Sequence, residues 1–515
     1  MKATIAKMLL CLAASCSLLL TGCNAASKGR LAQKQEEGYV EAMNTGSNLT
    51  ELRKEFWKQK EHTTLLSGEV FCADPTAVEY NGRLYVFGTN DHQQYDAVGP
   101  DGSNTYDKIT SLVIFSTDDM VNWTYHGIID VKAVAPWILN SWAPSVVSRV
   151  EADGKTHFYL YFSNNGCGVG VIHATDPLGP WDDPLGAPLV YQNMKGIGDC
   201  PNPFDPGAVI DENGVGWLSF GAGTARTGSA YLPGATRIVQ LGDDMISFAG
   251  ECKQIPAPYA FEASELNYIG GTYVYTYCNS WENRLEWHHP GVDRPGACSM
   301  SYMTTKTPLD PESWEYRGDY LSNPGESGFS YSNNHSHLHK FSGKYYLFHQ
   351  TLQKQMLMPT EGGFRSLNVV ELGVNEETVT FNIATASRTG ITQIRNVDAA
   401  AVNQGETFFS STDASFAMDG NAVTGVCSQH AGTVVCVKGV AFAKDASSCF
   451  TAVVKGRGRL EVRLDAPDAE PIAAMDIDSE SFAKLYTEMK RLDGVHDVYF
   501  VFSDAGMVLD CWQMI

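Results

Sequence analysis

A short motif occurs five times in this chain, and it constrains the fold more than any other feature. In each case a turn glycine follows an apolar segment and is followed by a strand rich in aromatic residues. The five glycines lie 57 to 72 residues apart, at positions Gly82, Gly154, Gly214, Gly271 and Gly343. Two apolar strands joined at glycine indicate a β-hairpin, and repetition at this length is typical of propeller blades. The sequence therefore predicts an all-β protein with a five-bladed β-propeller.

The charge of the chain limits its partners. Its 515 residues carry a formal net charge of −22. Binding to nucleic acid depends on clustered Lys and Arg side chains that neutralise phosphates, so this balance argues against a nucleic-acid partner. It favours a neutral or basic ligand, although a solvated acidic surface accounts for most of such a charge.

The N-terminal segment is predicted to be an export signal. Lys2 and Lys7 precede an apolar run that is short for a membrane span, and the run ends in Leu20-Thr21-Gly22-Cys23. This ending resembles a bacterial lipobox, in which the cysteine becomes lipidated. We therefore interpret residues 1–23 as a lipoprotein signal peptide. The expected location is the bacterial cell surface or periplasm, with membrane attachment through a lipid on Cys23; the alternative is an ordinary cleaved signal and a secreted protein.

The rest of the chain divides into three regions by composition. Residues 24–65 are polar and charged and are predicted to form a tether with a short helix. Residues 66–385 contain the repeated strands, with no long amphipathic helical segment, and are predicted to form the propeller. Residues 396–515 have shorter Val- and Ala-rich strands and fewer aromatics, which predicts a β-sandwich domain resembling a jelly roll.

Three carboxylates precede the repeated glycines at nearly equal distances. Asp74 lies 8 residues before its glycine, and Asp205 and Glu262 each lie 9 residues before theirs. The inner strands of a propeller begin at one shared channel, so these side chains are expected to converge. Glycoside hydrolysis uses one protonated and one ionised carboxyl group, and a third can raise the pKa of the acid. Each acid alone could equally be an ordinary turn residue, but their common register favours a catalytic group.

The segments around these acids resemble glycoside hydrolase family 43 over roughly residues 67–385. The resemblance rests on Ala73-Asp74-Pro75, Trp142-Ala143-Pro144, Asp205-Pro206 and Glu262-Ala263-Ser264, in that order. It implies a five-bladed propeller that hydrolyses arabinose- and xylose-containing plant cell-wall polysaccharide with inversion of configuration. It also implies that Asp74 is the general base, that Glu262 is the general acid, and that Asp205 adjusts the pKa and orientation of the acid.

One departure from the family pattern narrows the choice among possible substrates. The acid motif is Glu262-Ala-Ser where the family often has Glu-Gly-Pro, and this variant resembles members that act on the arabinose side chains of arabinoxylan. An α-L-arabinofuranosidase is therefore favoured over a β-xylosidase or an endo-arabinanase of the same family. A non-catalytic sugar-binding lipoprotein is the alternative of another class. Glu265 is the competing acid, and strand alternation is expected to turn it to the face opposite Glu262.

Other side chains are candidates for ligand contacts. Trp142 and Phe204 are expected to contact sugar rings. His335 lies 8 residues before Gly343, and family members often carry a histidine there, near a hydrated ion that is commonly calcium. The resemblance implies no cofactor for the chemistry itself, with Ca²⁺ in a structural role.

The C-terminal region resembles a family 6 carbohydrate-binding module. The resemblance rests on the Gly439-Val-Ala-Phe-Ala, Arg459-Leu-Glu-Val-Arg-Leu and Leu509-Asp-Cys-Trp segments. It implies a β-sandwich that binds sugars on aromatic side chains. Met507 occupies a position where a polar contact residue is expected before the last strand, which argues against ligand binding there.

Overall fold

The computed structural model describes residues 65–223, 235–281, 287, 289–358, 360–388, 390–443 and 448–515. The predicted signal peptide, Cys23 and the predicted tether with its helix, apart from Leu65, lie outside these residues. Within the described ranges, no helix is both long and apolar enough to cross a membrane.

The first four propeller sheets each contain four antiparallel strands. The first sheet comprises β1 (Ala73–Tyr80), β2 (Arg83–Thr89), β3 (Leu112–Thr117) and β4 (Trp123–Ile129). The second comprises β5 (Trp142–Val150), β6 (Thr156–Ser163), β7 (Gly168–Ala174) and β8 (Val190–Tyr191). The third comprises β9 (Gly207–Ile210), β10 (Gly216–Phe220), β11 (Thr236–Gln240) and β12 (Lys253–Ile255). The fourth comprises β13 (Ala260–Ile269), β14 (Thr272–Asn279), β15 (Met300–Thr305) and β16 (Glu315–Leu321).

The predicted blade count of five is wrong for the described residues, which contain four complete four-stranded blades. The fifth repeat forms a three-stranded sheet of β17 (Ser336–Phe341), β18 (Lys344–Thr351) and β19 (Ser366–Glu371). Beside β19, where a fourth strand would pair, Leu65 forms a single antiparallel bridge with Asn368. The glycine motif reports only the first two strands of each sheet, so it could not reveal this difference.

The five sheets nevertheless pack as a closed ring. Each sheet shares a cluster of buried apolar side chains with the next one, and the three-stranded sheet packs against both the fourth and the first. For example, Phe348 of β18 lies in one cluster with Leu84 and Phe115 of the first sheet. Burial of these side chains is the main free-energy term that holds neighbouring sheets together.

The repeated glycines form the predicted hairpin turns. All five have φ between 74° and 81°, the left-handed region that glycine adopts without steric cost. Each connects an inner strand to the aromatic strand paired with it. The repeat therefore identified the inner hairpin of every sheet correctly.

The opposite ends of the inner strands are irregular. Asp74, Ala143, Asp205 and Ala263 all have positive φ, between 38° and 62°. In β1, β5 and β13 the pairing register shifts at this point, which marks β-bulges. A bulge turns a side chain away from simple alternation. At these irregular ends neighbouring sheets contact one another, as in the hydrogen bond from the Ala263 amide to Asp205 Oδ2.

Two short α-helices interrupt the strands in the described residues. Helix α1 (Asp91–Val98) follows β2 directly and begins at Asn90, whose side chain accepts a hydrogen bond from the Gln93 amide at 3.2 Å. Helix α2 (Val131–Val134) follows β4. The strand-only interpretation of residues 66–385 missed α1, because its polar sequence lacks an apolar stripe.

The C-terminal region is a curled, sandwich-like β-sheet that follows the short hairpin of β20 (Val374–Asn375) and β21 (Thr380–Phe381). It has five short strands, β22 (Val397–Asp398), β23 (Asn403–Gln404), β24 (Thr407–Phe408), β25 (Ser410–Ser411) and β26 (Ala414–Asp419). Its longer strands are β27 (Ala422–Ser428), β28 (Val434–Phe442), β29 (Cys449–Leu464), β30 (Ala473–Glu488), β31 (Gly494–Phe502) and β32 (Val508–Met514).

This sheet is continuous with the first blade. Strands β24 and β27 both pair with β4, through Phe408 with Trp123 and through Ala422 with Gly127. The sandwich has its own apolar core, in which Met507 is fully buried. Met507 therefore packs inside the domain and does not face a ligand. The assignment to carbohydrate-binding family 6 stays a prediction.

Candidate active site

Asp74 is held by four hydrogen-bonding partners at the bulge of β1. Arg365 Nη1 donates to Oδ1 at 2.8 Å, and Thr89 Oγ1 donates to Oδ2 at 2.7 Å. His335 Nδ1 lies 3.2 Å from Oδ1. The Asp74 amide donates to Gln350 Oε1 at 2.9 Å. The carboxylate is thus held by Thr89 of β2, by Arg365 directly before β19 and by His335 directly before β17, while Gln350 of β18 holds its backbone.

These contacts keep the Asp74 carboxylate ionised. Burial would raise its pKa, but the positive charge of Arg365 and the hydrogen bonds of His335 and Thr89 outweigh burial. The pKa of Asp74 is therefore held well below its usual range. An ionised, immobilised carboxylate is suited to accept a proton from water.

Asp205 lies before β9 and contacts the second and fourth sheets. Ser163 Oγ donates to its Oδ1 at 3.1 Å, and the Ala263 amide donates to its Oδ2 at 2.8 Å. Burial raises the pKa of Asp205, and the negative charge of Asp74 adds to this effect. Because Ala263 follows Glu262 directly, Asp205 is bonded to the backbone beside the third acid.

Glu262 lies between two register shifts in β13 and is partly exposed. Burial of its carboxyl group, together with the negative charges of Asp205 and Asp74, raises the pKa of Glu262 to about 8. It is therefore protonated at neutral pH and can donate that proton. The structure brings together the three acids that the sequence singled out, in two opposite protonation states.

His335 belongs to the same cluster and lies beside the candidate base. It is buried, and its Nδ1 is directed at Asp74. The nearby carboxylates raise its pKa against the opposing effect of burial. In the described part of the chain, no group of three or more His, Cys, Asp or Glu side chains could hold a metal ion. Calcium prefers oxygen ligands, so the expected contact of His335 with the ion is partial or through water, and a structural Ca²⁺ stays a prediction.

The two predicted sugar-contacting residues lie at the irregular ends of the inner strands. Trp142 precedes Ala143 at the bulge of β5, and its Nε1 donates to the Tyr106 carbonyl at 3.0 Å. Phe204 precedes Asp205. Both residues are partly exposed. Their contact with sugar stays a prediction.

The sequence comparisons identify the family. A family model described as "Glycosyl hydrolases family 43" matches residues 67–368, more than half of the chain. The chain belongs to glycoside hydrolase family 43. It is 33% identical over 475 residues to an arabinoxylan arabinofuranohydrolase of Bacillus subtilis, covering 86% of this chain and 90% of that protein. It is 31% identical to an arabinoxylan arabinofuranohydrolase of Paenibacillus polymyxa, covering 86% of this chain and 72% of that protein.

The structural comparison extends through both regions of this family 43 chain. The crystal structure of the Bacillus subtilis family 43 arabinoxylan arabinofuranohydrolase, in complex with cellotetraose, aligns with a TM-score of 0.81 at 31% identity. The alignment covers 89% of this chain and 98% of that one. The all-β fold with a propeller is therefore confirmed independently of the sequence pattern.

Glu265, the competing acid, makes internal contacts in this family 43 site. The register shifts of β13 invalidate simple alternation, and Glu265 is fully buried. Its Oε1 lies 3.0 Å from His337 Nδ1 and its Oε2 accepts from the Leu266 amide at 3.0 Å. Glu265 is thus engaged in internal contacts, in contrast to the partly exposed Glu262.

Sequence reasoning missed Arg365, Asp91 and Thr89. Arg365 precedes β19, 291 residues after the aspartate that it contacts, and no local motif marks it. Asp91 and Thr89 flank Asn90, whose helix-capping character was the one available signal near them. Arg365 reaches Asp74 through the closure of the ring, whereas Thr89 is brought to it by the pairing of β2 with β1.

Proposed function

We propose that this family 43 hydrolase releases α-L-arabinofuranosyl units from arabinoxylan-type hemicellulose with inversion of configuration. The observation that carries the proposal is the pairing of an ionised Asp74 with a Glu262 whose raised pKa is about 8. The preference for arabinose is supported by the two relatives named arabinoxylan arabinofuranohydrolase, which match most of this chain.

In this mechanism each acid has one task. Asp74 accepts a proton from a water molecule, whose oxygen attacks the anomeric carbon on the face opposite the leaving group. Glu262 donates its proton to the glycosidic oxygen as that bond breaks. Asp205 stays in place, keeps Glu262 protonated by its negative charge and fixes the adjacent backbone through Ala263. Proton exchange with solvent then restores both groups.

The proposal is tested by assaying the wild-type chain and Glu262→Gln on aryl α-L-arabinofuranoside, aryl β-D-xyloside and arabinoxylan. Wild type should release arabinose, and the variant should lose about 100-fold or more of its activity on arabinoxylan. Glu251→Gln, at an exposed glutamate, is the matched control and should keep full activity. NMR of the first product should show the inverted anomer. Hydrolysis of the xyloside alone would favour a β-xylosidase, and no hydrolysis of any substrate would contradict an enzymatic function.

We further propose that the protein is exported and attached to the membrane through Cys23. The support is the lipobox-like Leu20-Thr21-Gly22-Cys23 segment after a short apolar run. Fractionation of cells expressing the full chain tests this: Cys23→Ser should move the protein out of the membrane fraction. An unchanged distribution would contradict lipid attachment.

We also propose that residues 396–515 act as a family 6-type carbohydrate-binding module. The support is the sandwich-like sheet together with the resemblance of its strand segments. Affinity electrophoresis of inactive Glu262→Gln in gels with arabinoxylan tests it. Retardation that persists when the catalytic cleft is saturated with arabinose supports a second binding region, and loss of all retardation contradicts it.

A further inference from the structure

A second buried aspartate lies behind the candidate base. Asp91, the first residue of α1, is fully buried and accepts four hydrogen bonds. Arg365 supplies three of them: its Nη2 donates to Oδ1 at 2.8 Å, and its Nε and backbone N donate to Oδ2 at 2.9 and 3.0 Å. Asn104 Nδ2 donates the fourth at 2.7 Å. The side-chain contact is a bidentate arginine–carboxylate pair, the geometry that best fixes a guanidinium plane.

The same guanidinium reaches the candidate base with its remaining terminal nitrogen. Arg365 Nη1 donates to Asp74 Oδ1 at 2.8 Å, while Nε and Nη2 are both engaged by Asp91. The three side chains are each at least nine-tenths buried. Because a guanidinium is planar and rigid, the orientation that Asp91 imposes also determines where Nη1 meets Asp74.

We infer that Asp91 is a positioning residue for the hydrolytic reaction, acting on Asp74 through Arg365. The inference rests on the proposed role of Asp74 as the base. Without the Asp91 carboxylate, Arg365 would have one carboxylate partner in place of two, and its plane could rotate about that contact. Asp74 would then lose the fixed direction from which it accepts the proton of the attacking water.

The contacts of Asp91 also link the candidate base to Trp142, one of the side chains predicted to contact sugar. Asn104, which donates to Asp91, belongs to the loop that carries Tyr106. The Tyr106 ring lies over the Arg365 guanidinium at 4.8 Å, and the Tyr106 carbonyl accepts the bond from Trp142. Asn140 Nδ2 also donates to the carbonyls of Tyr106 and Asp107, so the backbone of this loop is held independently of Arg365. Displacement of Arg365 is therefore expected to disturb Asp74 more than it disturbs sugar binding.

A merely structural role for Asp91 makes a different prediction from a positioning role, and a double-mutant cycle separates the two. With an aryl arabinofuranoside, Asp91→Asn should lower kcat by about 100-fold, the loss expected for a misplacement near 1 Å, while KM changes less than about threefold. In an Asp74→Asn background, the same substitution should lower the residual kcat by less than about twofold, because its route to the reaction is already removed. Equal losses in both backgrounds would overturn the inference.

The control is Asp96→Asn, the same substitution on the same helix at a side chain that is 67% exposed; its kcat should equal wild type. If Asp91→Asn shows no cooperative unfolding transition, Asn104→Ala replaces it, because it removes one neutral donor and leaves all charges. Asn104→Ala should lower kcat by about threefold to tenfold in the wild-type background only. An inactive wild type would contradict the proposed function, whereas an active wild type with an unaffected Asp91→Asn would contradict this inference alone.

Discussion

At the scale of single residues, the surroundings of each acid determine its pKa more than its residue type does. Asp74 and Asp205 are both aspartates with positive φ at the start of an inner strand, yet their pKa values shift in opposite directions. The difference comes from Arg365, which contacts Asp74 directly. Roles of this kind depend on partners that are distant in the chain.

Asp205 is expected to control the alkaline limit of activity. Burial and the negative charge of Asp205 raise the pKa of Glu262 to about 8, so activity should fall as pH rises past that value and the proton is lost. Asp205→Asn removes the charge and should lower the pKa of Glu262. The descending limb of kcat/KM against pH should then move to lower pH.

The measurement is a full pH profile of kcat/KM for wild type and Asp205→Asn on the same arabinofuranoside. Asp211→Asn, which lies outside the acid cluster and contacts Trp217 and Tyr273, is a control with a buried aspartate of the same sheet. The descending limb of the Asp211→Asn profile should stay at the same pH as in the wild type. A shift of the Asp205→Asn limb to higher pH would contradict the electrostatic role of Asp205.

At the scale of elements, each inner hairpin has a regular end and an irregular end. The turn glycines repeat with nearly the same φ, whereas the opposite ends carry bulges and different side chains. Gly88 of β2 lies opposite the bulge of β1, and a methyl group at this position would collide with Cys72 Sγ and the Ala73 carbonyl. The bulge that presents Asp74 thus requires a residue without a side chain across from it.

Gly88→Ala should therefore impair activity and stability together. We expect a loss of about 10-fold or more in kcat, because displacement of Ala73 moves Asp74. Gly154→Ala is the matched control: its φ of 78° gives a conformational cost of about 1 kcal/mol, but no atom lies within 4 Å of the added carbon. Kinetics combined with urea unfolding checks both variants. Wild-type kcat in Gly88→Ala would show that the bulge does not need this glycine.

The contrast between the regular and the irregular ends of the inner hairpins also explains which features could be predicted from the sequence. The hairpins and the three acids were predictable, because turn glycines and carboxylates recur at short, fixed spacing. The number of strands in the last sheet was not, because in the described residues its fourth position is occupied by the bridge of Leu65 with Asn368 and no local motif marks that contact. Arg365 was not predictable either, since closure of a ring brings it to Asp74 without any local pattern.

At the scale of the whole molecule, the propeller and the C-terminal sheet share a hydrogen-bonded boundary. Asp119, in the turn between β3 and β4, is buried and accepts bonds from the Val121 and Asn122 amides at 2.8 and 2.7 Å. It also accepts from Gln393 Nε2 at 3.0 Å. Asn122 in turn bonds both backbone groups of Lys438 in β28. These hydrogen bonds connect the first propeller sheet directly to the C-terminal sheet.

We therefore expect a single cooperative unfolding transition, observed at the same urea concentration by tryptophan fluorescence and by circular dichroism. Asp119→Ala should lower the free energy of unfolding by about 3 kcal/mol, because it leaves several buried donors without an acceptor. Asp118→Ala, whose side chain is 47% exposed, should change it by less than about 0.5 kcal/mol. Two separate transitions in the wild type would contradict the proposed coupling.

The left-handed backbone at the start of the inner strands has a consequence for how this protein can evolve. Non-glycine residues in this conformation each cost on the order of 1 kcal/mol, and Asp205 adds the cost of a buried charge near other acids. Selection for heat resistance alone should thus favour replacement of Asp205 by glycine, which gains stability and forfeits catalysis. Laboratory evolution that selects only for thermal stability is therefore expected to eliminate the hydrolytic activity while the fold is retained.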